Sequence, residues 1–478
     1  MRKWIPLAAV CLGAFMLLVD VSIVNVALPP MSADLHSSFT ALQWVVDVYA
    51  LVLAALLMAF GSLGDRLGHR RLYLVGLVVF AVASLACGLA PNAGTLIAAR
   101  AVQGIGGAAM MTSTTALIAG AYQGRDRGTA FGVWGAVNGA AAAVGPVLGG
   151  LLTDWFGWRS IFVVNVPVAA VAVALTLGRL HAAPPQARGR LDLPGAAAFT
   201  VFAAALTYGL IESGEHGWGS ARVLGPVLLA VLALAVFAAV ELRTARPLLD
   251  LSLLRNRTFL GLTLGGLLLT AGAFAQLTYT SIWLQQVVGL GPLSAGLAVC
   301  PLAVAAFVVA PVSGKVFDRA APQLPIGVGL LLIGTGTLLL RLVSAGSSWT
   351  ALLPGMLVVG VGVGLSTPTL ISTALAAVPR ERAGMASGAV NTGRQLGYAL
   401  GIAVLGSVFQ AGLRQAGAGP DRHAAFADAL DRVYLAAGLT GLAAGLLVLA
   451  LVRRAPAPAD GHPAGPQAAR LQPVAAPE

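Results

Sequence analysis

Residues Gly61–Leu72 read GSLGDRLGHRRL and separate two apolar runs that are each long enough to cross a membrane. The glycine-rich stretch concentrates one acid and three arginines, Asp65, Arg66, Arg70 and Arg71. Charge is almost absent from the sequence on either side of it. A partial copy, Gly314-x-x-x-Asp318-Arg319, begins 253 positions further on. We therefore predict two related turns between membrane helices, one in each half of a duplicated chain.

The composition requires lipid as the solvent of most of the chain. The 478 residues are 58% hydrophobic and 10% charged, whereas a soluble globular protein carries about 25% charged residues. Nucleic acid is excluded as a partner because the net charge of +11 is spread over short loops. The three cysteines lie inside apolar runs without metal-ligand spacing, so we expect neither a disulfide framework nor a metal site.

Fourteen apolar segments are predicted to span the bilayer as helices, because backbone groups in lipid find no water to bond. A signal peptide is the alternative for the first segment, but the segment continues to Pro29 without a clear cleavage site. The segments cover residues 5–29, 42–62, 73–90, 95–120, 129–153, 160–178, 195–213, 223–241, 259–285, 295–316, 324–343, 349–375, 386–412 and 431–452.

Lysine and arginine predict the orientation of the chain. With the N-terminus inside, the inner loops hold 21 of these residues and the outer loops hold 6, while two more fall within spans. Because cytoplasmic loops are enriched in positive residues, both termini are predicted to be cytoplasmic, which agrees with an even number of spans.

Short matches at a nearly constant offset indicate an internal duplication. Gly135–Asn138 recurs as Gly388–Asn391 after 253 positions, and Arg125–Arg127 resembles Arg380–Arg382 after 255. We predict an all-α membrane protein with two parallel six-helix halves and two inserted central helices, an arrangement typical of transporters. The predicted units are an N-terminal half (1–178), a linker with helices 7 and 8 (179–258), a C-terminal half (259–452) and a disordered cytoplasmic tail (453–478).

Ionisable side chains within spans are costly and are therefore candidates for function. These candidates are Asp20 in helix 1, Asp47 in helix 2, Arg100 in helix 4 and Arg394 in helix 13. Burial favours the protonated form of a carboxyl group, whereas a neighbouring arginine favours the anion. An arginine that approaches or leaves an acid would act as a proton switch; a static buried pair is the alternative.

Two further sets of residues are candidates for conformational change and for substrate contact. Helix 5 carries Gly139, Gly145, Pro146, Gly149 and Gly150, which combine a helix kink with close helix approach, although ordinary small-residue packing would also explain the glycines. Polar and aromatic residues at mid-membrane depth predict a substrate cavity lined by Asn25, Gln103, Asn138, Gln276, Tyr279, Trp283, Asn391, Arg394 and Gln395.

These motifs resemble the major facilitator superfamily and, within it, the fourteen-helix drug:proton antiporters of the EmrB/QacA type. Gly61–Leu72 is similar to the loop between helices 2 and 3, Asp20–Pro29 to the helix 1 motif, and Arg100–Gly107 to the helix 4 motif. Gly145–Gly150 is similar to the antiport motif of helix 5. Further matches are Trp158–Pro167, Leu191–Gly195 and Asn391–Gly397.

The resemblance implies a secondary exporter of lipophilic drugs, toxins or antibiotic-like metabolites in the plasma (inner) membrane, driven by protons without a cofactor and acting as a monomer. By this resemblance Arg100 would take part in proton coupling, Asp20 would be a proton or cation site, and Asp65 with its three arginines would latch the two halves. The acid inside helix 2, Asp47, is a further proton-coupling candidate, and Gly61, Asp318 and Arg319 complete the predicted latch. Helices 9 to 13 lack interior acids, which favours neutral or monocationic substrates. Import or uniport of a small metabolite on the same fold is the alternative. An enzyme is not expected, because no catalytic cluster or nucleotide-binding motif occurs.

The incomplete copy at Gly314 predicts an asymmetric latch, because Ala320-Ala321 stands where the first stretch continues toward Arg70-Arg71. We expect Asp65→Asn to reduce transport more than Asp318→Asn. Transport by cells that express each variant at equal level is the measurement, and equal losses would contradict the asymmetry.

Overall fold

The chain is helical throughout the part that the computed structural model describes, which comprises residues 2–122, 124–180, 192–244, 247–316, 321–344, 346–378, 383–416 and 422–453. None of these residues lies in a β-strand. The α-helices are α1 (Ile5–Leu35), α2 (Phe39–Leu67), α3 (His69–Gly88), α4 (Ala93–Ala121), α5 (Gly124–Phe156), α6 (Ser160–Val163), α7 (Asn165–Arg179), α8 (Leu193–His216), α9 (Ala221–Arg243), α10 (Arg257–Ala273), α11 (Gln276–Gln286), α12 (Pro292–Val316), α13 (Gln323–Leu339), α14 (Leu353–Ala376), α15 (Ala383–Ala416) and α16 (Arg422–Leu451).

Twelve helical segments within the described residues are long and apolar enough to cross a membrane, rather than the fourteen predicted. Two of the twelve combine neighbouring helices, namely α6 with α7 and α10 with α11. The segments that do not meet the criterion are α4 and α5, although these helices have 29 and 33 residues. Polar residues on α4, Arg100 and Gln103 among them, lower its hydropathy.

Both α4 and α5 extend along the whole length of α1. Where α1 begins, the Tyr122 hydroxyl accepts a bond from the Leu7 backbone N–H at 3.1 Å, and the Lys3 ammonium pairs with Asp126 at 3.0 Å. Where α1 ends, Asp34 accepts bonds from the turn that follows α5. We call the side where α1 begins the terminal face and the side where it ends the opposite face.

The chain has two parts, α1–α7 and α10–α16, and equivalent helix pairs pack together in both. Helix α3 packs on α4 and α7, and α13 packs on α14 and α16; likewise α1 packs on α5, and α10 on α15. The two parts meet along two seams, one between α2 and α15 and the other between α5 and α12. The domain boundaries drawn from the sequence stay predictions.

Glycines allow several of these helices to approach closely. A Cβ atom added to Gly106 on α4 would lie 2.6 Å from the backbone nitrogen of Phe80 on α3. At the corresponding α13–α16 contact, a Cβ atom on Gly441 would lie 2.7 Å from the Cα atom of Gly334. Because apolar side chains are equally stable in lipid, such close packing takes the place of the hydrophobic effect in holding these helices together.

Of the inserted helices, α8 lies over the seam between α2 and α15, and α9 packs on α8. Phe199 on α8 belongs to an apolar cluster with Leu51 of α2 and Leu396 of α15. At the opposite face, Glu215 of α8 accepts a hydrogen bond from Thr40 of α2, and its carbonyl accepts one from Arg414 of α15 at 2.9 Å. Helix α8 therefore contacts both parts of the chain at one seam.

The predicted turn at Gly61–Leu72 is much shorter than expected. Helix α2 continues to Leu67 and α3 begins at His69, so Gly68 is the one residue between them. Gly68 has φ 88°, a conformation that favours glycine. The prediction ended the helix where hydropathy fell, but the charged residues at the end of α2 stay helical.

Candidate functional site

Asp20 is the centre of a buried polar cluster near the middle of α1. Its side chain is 0% exposed and accepts three hydrogen bonds: from Arg100 Nη1 at 2.6 Å, Gln103 Nε2 at 2.9 Å and Asn165 Nδ2 at 3.0 Å. Three side chains from α4 and α7 thus meet at the carboxylate of α1. The donors satisfy its negative charge, which burial would otherwise make costly.

Arg100 is the cation of the cluster and is 1% exposed. Besides Asp20, it donates through Nη1 to Gln103 Oε1 at 2.6 Å and through Nε to the Val45 carbonyl at 3.1 Å. Its guanidinium carbon lies 4.2 Å from the centre of the Tyr49 ring, a stacking that a planar guanidinium favours. A buried ion pair contributes little net stability, but loss of one partner is costly. This arrangement therefore suits a site whose charge state changes the packing.

The spacing of residues on α4 explains why two of the predicted residues act together. Arg100 and Gln103 are three positions apart, so they lie on one face of the helix. That face meets α1 and the nearby Ser84 of α3, which accepts from Gln103 Nε2 at 2.7 Å. The structure thus brings together Asp20, Arg100 and Gln103.

Two residues of the cluster were missed as candidates from the sequence. Asn165 stands at the start of α7, and its Nδ2 also donates to Ser84 Oγ at 3.3 Å. The Trp158–Pro167 motif contains Asn165 and was a usable signal for it. Ser84 offered none, because a serine inside an apolar helix usually bonds its own backbone.

Asp47 lies outside this cluster. It is 0% exposed, and neither carboxylate oxygen has a hydrogen-bond partner. Asp47 interacts electrostatically with Tyr279 and Tyr398, which both belong to the second part of the chain. A buried carboxylate with neither donor nor cation is strongly disfavoured, so the surroundings of Asp47 favour its neutral form.

Side-chain hydrogen bonds between α1 or α2 and α11 or α15 join the two parts of the chain. Asn25 of α1 donates to the Tyr398 hydroxyl of α15 at 3.3 Å and accepts from the Thr278 hydroxyl of α11 at 3.0 Å. Gln43 of α2 donates to the Tyr279 hydroxyl of α11 at 3.3 Å.

Further contacts join the two parts nearer the opposite face. Gln410 of α15 donates to Gln43 at 3.4 Å. At the other seam, Asp154 near the end of α5 accepts from the Leu293 backbone N–H of α12 at 3.2 Å. The described contacts therefore close the bundle on the opposite side.

The residues predicted to line a cavity are mostly packed in this conformation. Gln276, Tyr279 and Trp283 are fully buried on α11, and Trp283 Nε1 has no hydrogen-bond partner. Arg394 packs its aliphatic stem against α10 at Gly266, and its Nε is also without a partner. Asn391 reaches Ser387 one turn away at 3.5 Å, Gln395 is half-buried, and the side chain of Asn138 lies outside the described residues.

The Gly-Pro segment of α5 lies between the two parts of the chain. Pro146 is inside the helix, and a Cβ atom on Gly149 would lie 2.8 Å from the Ile23 carbonyl of α1. On its other side, a Cβ atom on Gly150 would lie 2.7 Å from the Leu293 backbone nitrogen of α12. Gly145 faces Ser22 of α1, while Gly139 is on α5 without a described environment. This segment can therefore transmit movement of α1 to the seam with α12.

The predicted latch residues are described only in part. Arg70 donates to the Leu177 carbonyl of α7 at 3.1 Å, so it caps the end of a helix in its own half of the chain. Gly61 has open space beside it, Arg66 is half-exposed and Arg71 is exposed. The side chain of Asp65, together with Asp318 and Arg319, lies outside the described residues.

Known proteins that are similar to this chain agree with a transport fold. The family model of the Major Facilitator Superfamily matches residues 10–402. The multidrug resistance protein Stp of Mycobacterium tuberculosis is 37% identical over 410 residues, covering 86% of this chain and 76% of Stp. The tetracenomycin C resistance and export protein of Streptomyces glaucescens is 37% identical over 419 residues, covering 85% and 76%.

A solved structure supports the fold alone. The crystal structure of a POT family transporter, in complex with a thioalcohol-conjugated peptide, superposes with a TM-score of 0.68. It is 14% identical and covers 93% of this chain and 95% of its own. At this identity the likeness carries no information on substrate.

The buried ion pair gives a stability prediction. Asp20→Asn leaves the Arg100 guanidinium buried without a counter-charge, so we expect a loss of about 3–5 kcal/mol in unfolding free energy, seen as a lower melting temperature of the purified protein in detergent.

The double variant Asp20→Asn/Arg100→Gln should recover part of this loss, because it removes the unpaired charge. Asp428→Asn, at an exposed position on α16, should stay within about 0.5 kcal/mol of the parent. An Asp20→Asn protein as stable as the parent would contradict the assignment.

Proposed function

The chain belongs to the Major Facilitator Superfamily, and we propose that it is a proton-coupled exporter of small lipophilic compounds of the drug and antibiotic type. It is a multi-pass membrane transporter and not an enzyme. Export, rather than uptake, is supported by relatives that are named for multidrug resistance and for resistance with export.

The Asp20–Arg100 ion pair is the observation that carries proton coupling. In this conformation the carboxylate of Asp20 accepts three hydrogen bonds, and one of them comes from a guanidinium. A proton that binds Asp20 removes the attraction to Arg100 and leaves the cation to find other partners. Binding and release of a proton therefore change the contact between α1 and α4.

Movement of α1 would reach the second part of the chain through α5. Ser22 and Ile23, close to Asp20 in sequence, pack against Gly145 and Gly149, and the next glycine packs against α12. A shift of α1 would thus alter the α5–α12 seam, which helps to close the opposite face. We propose that this chain of contacts links the proton to alternating access.

Asp47 is proposed as a second participant in coupling. Its surroundings in the closed conformation favour the neutral form, and it interacts electrostatically with tyrosines of the other part of the chain. Separation of the parts would expose it to water and allow it to ionise. Asp47 would therefore release its proton in the step that opens the seam, whereas Asp20 would bind or release its proton in the closed conformation.

The energy available from protons sets the scale of export. A membrane potential of 100 mV is worth about 2.3 kcal/mol per charge, and about 1.4 kcal/mol corresponds to a tenfold ratio. One proton would therefore sustain a substrate gradient on the order of fifty-fold. We propose that no cofactor is used and that the working unit is the monomer.

We further propose that the chain has fourteen spans, the arrangement of the EmrB/QacA type. We place it in the plasma membrane with both termini in the cytoplasm. Support comes from α4 and α5, which extend from the Lys3 end of α1 to its Asp34 end. Added to the twelve apolar segments, these two helices give fourteen spans. The excess of lysine and arginine in the loops on the terminal side supports the orientation.

Thiol labelling tests the span number and the orientation together. In a background without native cysteines, Pro91→Cys before α4 should react with a membrane-impermeant maleimide in intact cells. Gly120→Cys near the end of α4 should react only after permeabilisation, because α4 carries it to the cytoplasmic side. Labelling of Gly120→Cys in intact cells would mean that α4 does not cross.

Inside-out vesicles test proton coupling directly. We expect ethidium, a lipophilic monocation, to dissipate a preformed pH gradient in vesicles that hold the parent protein, as reported by a pH-sensitive dye. Asp20→Asn should abolish this response, because the site can no longer release a proton. The matched control is Asp428→Asn, which should respond like the parent.

The direction of transport and the range of substrates are tested in cells that express the protein. A growth-inhibition panel of lipophilic antibiotics should show resistance in cells with the parent protein and none with Asp20→Asn. Ethidium efflux that persists after an ionophore has collapsed the proton gradient would refute the coupling, and accumulation of the compounds in expressing cells would refute export.

A further inference from the structure

Two acidic side chains come together where the inserted helices meet the terminal face. Asp192 precedes α8, and Glu241 lies near the end of α9. Asp192 is 6% exposed and Glu241 is 4% exposed. Glu241 stands at the end of an apolar run, and the segment that follows α9 returns to it through a hydrogen bond from the Leu249 N–H.

Each carboxylate uses one oxygen to hold the backbone. Asp192 Oδ1 accepts from the Gly195 N–H at 2.8 Å and so caps α8. Glu241 Oε2 accepts from the Leu249 N–H at 3.2 Å and so fixes the segment that leads to α10. The other oxygens, Asp192 Oδ2 and Glu241 Oε1, are buried and have no hydrogen-bond partner.

Gly195 shows that these two unpartnered oxygens point to the same place. A Cβ atom added to this glycine would lie 2.6 Å from Asp192 Oδ2 and 2.8 Å from Glu241 Oε1. The two oxygens therefore converge on one small space, which exists because residue 195 has no side chain. A protonated carboxyl beside a carboxylate would occupy this space with a single hydrogen bond.

The surroundings provide no counter-charge within the described residues. The neighbouring cluster from α2, α8, α9, α15 and the following segment is apolar, with Phe199, Phe237 and Leu248 among its members. Arg243 is exposed, and Asp250 turns its carboxylate to the Ser252 N–H at 2.9 Å. Arg246 lies outside the described residues. The remaining titratable side chains described on the packed elements are Asp47, Tyr49, Arg66, Tyr208, Glu212, Glu215, His216, Arg222, Arg255, Arg394, Tyr398 and Arg414.

We propose that Asp192 and Glu241 form a proton-binding site, distinct from the Asp20 cluster, in which two carboxyl groups share one proton at neutral pH. Two buried like charges this close cannot both be ionised without a cation, so one of them keeps its proton. The shared proton satisfies both free oxygens and leaves the backbone bonds to Gly195 and Leu249 in place.

Loss of the shared proton would act on the inserted helices. Two anions would repel one another, and α9 with its Leu249 contact would separate from the start of α8. Because α8 packs on both α2 and α15, this separation would reach the seam between the two parts of the chain. The site thus couples the pH on the terminal side to the inserted helices.

The test is a proton titration of the purified protein by infrared pH-difference spectroscopy, which needs no transport and is independent of the proposed function. The parent should show one protonated carboxyl that titrates near neutral pH. Asp192→Asn and Glu241→Gln should each move that step to lower pH by about one unit or more, since the like charge is gone. Asn also caps helices, so α8 should remain intact.

One control variant and two contrary outcomes test whether the near-neutral step belongs to Asp192 and Glu241. Asp428→Asn removes an exposed carboxyl and should leave the near-neutral step unchanged. A near-neutral step that persists in both single variants would overturn the proposal. So would a step that moves when sodium replaces choline at constant pH, because the pair would then be a cation site.

Discussion

The polar contacts among α1, α4 and α7 depend on the placement of one carboxylate out of reach of water. Asp20 can lie at the centre of α1 only if donors surround it, and three side chains from α4 and α7 provide them. A guanidinium that meets this carboxylate must be buried too, which Tyr49 and the Val45 carbonyl allow. The ion pair thus binds three helices together through interactions that a single proton can remove.

Glycine gives the same helices the freedom to move. Glycines on α5 face Ser22 and Ile23 of α1 on one side and the backbone of α12 on the other. Such smooth surfaces can slide with little rearrangement of rotamers. The polar cluster can therefore change with protonation, and the glycine faces allow the resulting movement of α1 to reach α5 and α12.

Residue type and local spacing predicted much of this arrangement. The helical class and the approximate positions of most helices follow from the lengths of the apolar runs, and the structure agrees with them. The spacing of Arg100 and Gln103, three positions apart, accounts for their contact on α4. Asn165, Ser84 and the Glu241–Asp192 pair were not predicted, since their significance comes from partners that are far away in sequence. The turn at Gly68 was misjudged because hydropathy ends with the apolar run, whereas helical hydrogen bonding continues through charged residues.

The charges are distributed unequally between the two parts of the chain, and this inequality bears on mechanism. The described helices from α10 to α15 contain no carboxylate, and the Arg394 Nε is buried without a partner. Their contribution at the seams is neutral: tyrosine and threonine hydroxyls and glutamine amides that bond Asn25 and Gln43. Neutral hydrogen bonds are readily exchanged for bonds to water or to a polar group of a ligand, whereas a buried ion pair is not. We therefore infer different roles for the two halves. The first half binds the proton, and the second half forms neutral hydrogen bonds that can break at the seams without exposing an unpaired charge.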